Sequence, residues 1–130
     1  TLAAHLAPGG LAMVDAWLPD ADDLARYDGR LVLEWVRGDP GSGRIVTKAC
    51  SAVYEATSTS VVLTTIFDEG HAGEAPGPWV RVDRLRLVSP DELRSFAEAA
   101  GLVVETLAGD YDMNQLAPGA ERVVMVARRP

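Results

Sequence analysis

RLRLVSPDELRSFAEAAGLVVETLAGDYD, Arg84 to Asp112, reads as strand, helix, strand and acidic loop. Ser89 is placed to cap the helix, with Pro90 in its first turn and Glu92 three residues after the cap, the spacing of a capping box. Val88 and Leu93 stand where a hydrophobic staple would close the helix entry. Leu93, Phe96, Ala97 and Ala100 recur at helical spacing, which predicts one apolar face. Gly101 supplies the left-handed stop. LVVETL follows at once, and then Gly109-Asp110-Tyr111-Asp112. A punctuated helix between two strands is the signature of a crossover unit in an α/β fold.

Working backwards, four alternating stretches precede the helix: Leu31–Arg37, Ile45–Tyr54, Val61–Phe67 and Trp79–Val88. Turn residues separate them, at Gly38–Gly43, Thr57–Ser60 and Glu69–Pro78. The pattern predicts an antiparallel meander with one wet face. In the first strand, alternation puts Leu31, Leu33 and Trp35 on one face. In the last, Val80 and Val82 are out of phase with Leu85 and Leu87, and a β-bulge near Asp83–Arg84 would repair the fault. Asp20 to Arg30 is acidic and has room for a helical turn from Ala21 to Tyr27.

At the start, Pro8-Gly9-Gly10 ends a short helical fragment. Leu11-Ala12-Met13-Val14 then reads as a strand buried on both faces. At the other end, Val123–Ala127 is uniformly apolar and predicts a central strand, with Leu102–Leu107 nearer an edge.

The 130 residues suffice for one modest core. Nineteen acidic against twelve basic side chains give a net charge of -7. That balance argues against nucleic acid as the main partner. Arg81, Arg84, Arg86, Arg128 and Arg129 read as solvated strand edges and a chain end. One cysteine excludes an internal disulfide and a thiolate metal cluster. Cys50 lies in an apolar strand and reads as a buried small hydrophobe. His5 and His71 make no metal pattern. With no long apolar run and no secretory signal, no membrane is expected and a cytoplasmic location is. The chain opens on Thr1 in what reads as the end of a helix, so a truncated start is expected.

Leu6-Ala7-Pro8-Gly9-Gly10, followed by an apolar strand and Asp15, resembles the entry to the fifth strand of class I S-adenosylmethionine-dependent methyltransferases. Leu87-Val88-Ser89-Pro90-Asp91-Glu92-Leu93 through Ala99-Ala100-Gly101-Leu102 resembles that family's helix before strand six, with Leu102 where Phe is usual. Gly109–Asp112 and Val123–Arg129 resemble the exit of strand six and the closing antiparallel strand. The resemblance implies an α/β fold, the C-terminal half of a Rossmann-like methyltransferase sheet. Three strands and a crossover helix, residues 1–19 and 87–130, would carry a four-stranded antiparallel meander inserted at 31–86. The meander would be a lid, a pocket wall or a dimer surface. It further implies S-adenosylmethionine as cofactor of the parent enzyme and a small-molecule acceptor. The family's glycine-rich cofactor loop finds no match here, because Gly38-x-x-Gly41-x-Gly43 lies between predicted strands. The expectation is a fragment, inactive alone. A stand-alone α+β module for ligand binding or dimerisation is the other reading.

Ligands of open α/β sheets bind beyond the carboxyl ends of the parallel strands. By that topology Asp15 is the best-placed candidate for the catalytic base, against the plainer reading that it caps the turn at Asp20–Leu24 or hydrogen-bonds loop backbone. Trp17 would stack on a planar acceptor or cover the core. Asp110 and Tyr111 would ring the pocket mouth or serve as turn residues. Tyr54, with Glu34, falls on the meander, and nothing in the sequence chooses its face. No cofactor-binding or metal residue is assigned. A strand at Leu11–Val14 without its family neighbour leaves an open edge, so a homo-oligomer through that edge or the meander is expected.

Overall fold

The computed structural model describes residues 1–70 and 78–130. His71 and the expected turn around it lie outside the described residues. In chain order the elements are β1 (Leu11–Trp17), α1 (Ala21–Tyr27), β2 (Val32–Gly38), β3 (Ile45–Glu55), β4 (Ser60–Gly70), β5 (Trp79–Arg86), α2 (Pro90–Ala99), β6 (Val103–Ala108) and β7 (Arg122–Arg128), after a 3-10 turn at Leu2–His5. They form two compact units: Thr1–Asp20 with Leu87–Pro130, and Ala21–Arg86. Among the described residues, no helix is long and apolar enough to cross a membrane.

The first unit is a three-stranded sheet ordered β1-β7-β6. Both outer strands run antiparallel to β7, so β1 and β6 point the same way. The apolar run read as central is β7. Its Val123, Met125 and Ala127 form a buried cluster with Leu102 and with Leu93 and Ala97 of α2. Alternation along the strand puts these three on one face.

The capping signals at both ends of α2 are realised. The Ser89 hydroxyl accepts from the Glu92 backbone N–H at 3.2 Å, and the Glu92 carboxylate accepts from the Ser89 N–H at 3.1 Å. At the other end Gly101 takes φ +79°. Leu102 N–H donates to the Ala97 carbonyl at 3.0 Å and Gly101 N–H to that of Glu98 at 2.9 Å, a Schellman stop. Ser89→Ala removes the cap acceptor and is expected to cost about 1 kcal/mol, read as a lowered midpoint in thermal denaturation.

The apolar face of α2 is narrower than the spacing predicts. Leu93 and Ala97 are buried, whereas Phe96 is 49% exposed and Ala100 is exposed. Nor is β1 buried on both faces. Ala12 is buried, but Leu11 is half exposed and Met13 is 64% exposed. As described, β1 has one strand neighbour, and its odd-numbered side chains stand on the face away from α2. Gly9 and Gly10 meet different demands at the entry to β1. Gly9 has φ +76°, and a Cβ on Gly10 would lie 2.8 Å from the Ala7 carbonyl oxygen.

The tail arginines are partly solvated, as read, and also make fixed contacts. Arg128 pairs with Glu105 at 2.5 Å and donates to the Gly9 carbonyl at 2.8 Å. Arg129 donates to the carbonyls of Leu6 and Ala3.

The second unit is a four-stranded antiparallel sheet in sequence order, β2-β3-β4-β5. The Gly38–Gly43 glycines belong to the β2–β3 hairpin turn. Asp39 organises it, accepting from Gly41 N–H at 3.0 Å, while Gly43 adopts φ +69°. These hydrogen bonds, led by that from Ser42, hold the Asp39 carboxyl below its ordinary range. Cys50 is buried as read, its thiol 3.6 Å from the Thr65 hydroxyl. Burial raises its pKa, which leaves it a poor nucleophile.

Two register expectations are overturned here. β5 carries no bulge, because its pairing with β4 is continuous from Trp79 to Arg86. Val80, Val82 and Leu85 are all exposed, with Val82 63% so. An edge strand that buries none of these side chains feels no pressure to correct its phase. The shift occurs instead in β2, between Leu33 and Trp35. It puts Leu33 opposite Ala49 but Trp35 opposite Lys48, so the two occupy different faces. Trp35 then meets Phe67 edge-on at 6.2 Å.

Candidate functional site

Because β1 and β6 run parallel to each other and against β7, their carboxyl ends meet at the start of β7. Trp17 pairs with Arg122, and Asp15 with Val124. Asp15 and Trp17, two residues apart, therefore share a face with Arg122. β6 ends at Ala108, opposite the same Val124. The loop that follows is tied back by Gly109 N–H to the Asn114 carbonyl at 2.9 Å.

Three side chains converge there. The Tyr111 hydroxyl donates to Asp15 Oδ2. Arg122 Nη1 lies 3.1 Å from the same oxygen and 2.5 Å from the Tyr111 hydroxyl. The Arg122 guanidinium carbon also stands over the Tyr111 ring, 4.6 Å from its centroid. Asp15 and Arg122 have side chains 37% and 35% exposed, so the cluster is open to a ligand. The hydrogen bond to Asp15 raises the Tyr111 pKa, since a phenolate beside that carboxylate is disfavoured. Tyr111 thus stays a neutral donor.

The other sequence candidates fall elsewhere. Asp110 caps its own loop, accepting from the backbone of Asn114 at 3.0 Å and from its side-chain amide at 2.8 Å. Asp110 is therefore committed to turn chemistry, and those bonds lower its pKa. Tyr54 lies half exposed on β3, in the second unit, paired with Val61. Glu34 is a partly buried partner of Lys48 at 2.6 Å and of the Tyr27 hydroxyl at 3.3 Å.

Sequence reasoning missed Arg122. The available signal was its position, a cation at the first residue of a central strand. That residue lies beside the last residues of its antiparallel neighbours.

Among the described residues, strand-to-helix connections run from β1 to α1 through Leu18-Pro19-Asp20 and from β5 to α2 through Leu87-Val88-Ser89. Neither contains a glycine, and among the described residues no group of acidic, histidine or cysteine side chains forms a metal site.

No protein-family model and no curated protein matches the sequence. Solved structures do. An S-adenosylmethionine-dependent methyltransferase from Clostridium acetobutylicum superposes with a TM-score of 0.71 at 14% identity, over 98% of this chain and 48% of its own. DesVI from Streptomyces venezuelae gives 0.68 at 25% identity, with the same two coverages. The sugar N-methyltransferase KedS8 from Streptoalloteichus sp. gives 0.62 at 23% identity, over 99% of this chain and 46% of its own.

The fold is one shared with S-adenosylmethionine-dependent methyltransferases. The chain spans about half the length of these structures. The match falls on the C-terminal half of the methyltransferase fold.

Proposed function

We propose that this chain is the acceptor-side part of an S-adenosylmethionine-dependent methyltransferase that acts on a small molecule. The observation that carries the reading is the superposition of nearly the whole chain on half of such an enzyme. On this reading the first unit is the last part of a Rossmann-like sheet, and the four-stranded second unit is an insertion after its β1. The likeness to a sugar N-methyltransferase supports a small polar acceptor.

The strand-to-helix connections do not fit an adenosyl group, which needs close backbone approach at a glycine-rich turn. The contacts to the cofactor then belong to the rest of the enzyme, and this chain acts on the acceptor. Methyl transfer to an amine or hydroxyl requires that the acceptor lose a proton. The Asp15 carboxylate is the base at this site. Tyr111 and Arg122 orient it, and Trp17 borders the same face.

Calorimetric titration of the chain with S-adenosylmethionine tests the division of labour. No measurable heat of binding is expected, while the intact enzyme binds and turns over. Tight binding by the chain alone would refute it.

A further inference from the structure

Tyr111 sits on a loop, 62% exposed, with no burial to hold its ring. Among the described residues its hydroxyl and ring partners are Asp15 and Arg122. Its hydroxyl gives its one proton to Asp15 Oδ2 and accepts from Arg122 Nη1. The same nitrogen also reaches Asp15 Oδ2. Two of the three contacts thus fall on one carboxylate oxygen and the third ties their donors together, while Oδ1 has no hydrogen-bond partner among the described residues. A planar guanidinium suits this geometry, since it can lie over a ring while an edge nitrogen donates in its plane.

We infer that Arg122 is a positioning residue, which clamps Tyr111 onto Asp15 Oδ2 and so presents Oδ1 to the acceptor. The inference rests on the proposed function for its purpose, but its geometry is testable without any activity. Asp15 comes from β1, Arg122 from β7 and Tyr111 from the loop after β6. The sheet already pairs β1 with β7, and the clamp adds the side-chain tie that brings the loop after β6 onto both. Asp110, next to Tyr111, does not compete, because its carboxylate is held by Asn114.

The test is a phenolate absorbance titration of the full chain and its Arg122→Gln, Arg122→Lys and Asp15→Asn variants. Tyr111→Phe serves as the blank that removes Tyr27 and Tyr54 from the signal. In the parent chain Tyr111 should ionise above the ordinary tyrosine range. Arg122→Gln should return it towards that range, because the freed ring leaves Asp15. Arg122→Lys should do the same, since an ammonium keeps the charge but lacks the planar fork that reaches over the ring and to both oxygens. Asp15→Asn should lower it as well, which confirms the partner. An unchanged or higher Tyr111 titration in Arg122→Gln would overturn the inference, showing that Asp15 holds Tyr111 unaided and that Arg122 is only a counter-charge. In the intact enzyme Arg122→Gln should lower kcat about 10²-fold with KM little changed. A rise in KM alone would assign Arg122 to binding and overturn the clamp. Should the intact protein transfer no methyl group, the proposed function fails, and the titration still decides the role of Arg122.

Discussion

Asp15→Asn in the intact enzyme should lower methyl transfer about 10²–10⁴-fold, the range a general base contributes. The substitution changes charge and not shape. An amide oxygen can still accept from the Tyr111 hydroxyl and from Arg122 Nη1, so the cluster keeps its arrangement. What disappears is a carboxylate able to take a proton from the acceptor. Stability should hardly move, because the Asp15–Arg122 pair is exposed and such pairs are worth about 0–1 kcal/mol. Single-turnover rates measured across pH provide the check, with circular dichroism to establish that the fold is intact. A rate loss of less than about tenfold would remove Asp15 from the role of base.

Leu93→Ala should cost about 2–4 kcal/mol of folding stability. Leu93 is the first buried side chain of α2 and lies in the cluster with Val123, Met125 and Ala127 of β7. Its neighbours are held by the sheet and by the α2 backbone, so the space a leucine leaves is only partly refilled. The loss is large beside the roughly 5–15 kcal/mol that holds a whole domain. Urea unfolding should show a lower midpoint at an unchanged slope. A midpoint within error of the parent would mean that α2 is held by its caps and not by its packing.

The two variants test different levels of the molecule. Leu93 was legible from helical spacing alone, and so were the capping box and the Gly101 stop. Phe96 satisfied the same spacing, yet it is half exposed. Spacing says which residues can share a face, but how wide a stripe is covered depends on what the helix rests against. Here that is a sheet of only three strands, whose cluster with α2 takes Leu93 and Ala97 and leaves Phe96 outside. In β5, sequence reasoning inserted a bulge to rescue a phase that the fold leaves uncorrected on an exposed edge. In β2 the real shift, beside Glu34, left no mark in the alternation.

The candidate site divides in the same way. Asp15 and Tyr111 were named from where strands should end, and the structure brings them together although they are 96 positions apart. Asp110 was named with them and is instead held by Asn114, four residues on. Arg122 was not named, since its importance comes from a partner on another strand and one on a loop.

Sequence by itself determined the features set within a few residues: the capped helix, the left-handed stop, the glycine hairpin and the apolar central strand. These follow from local hydrogen bonding and allowed backbone angles, which neighbouring residues dictate. Only the tertiary structure decided which faces are covered, where register shifts, and that Arg122 closes a cluster with Asp15 and Tyr111. Those outcomes depend on strand order and on which side chains lie opposite one another across the sheet. Pairings between positions that far apart leave no periodic trace in a single chain.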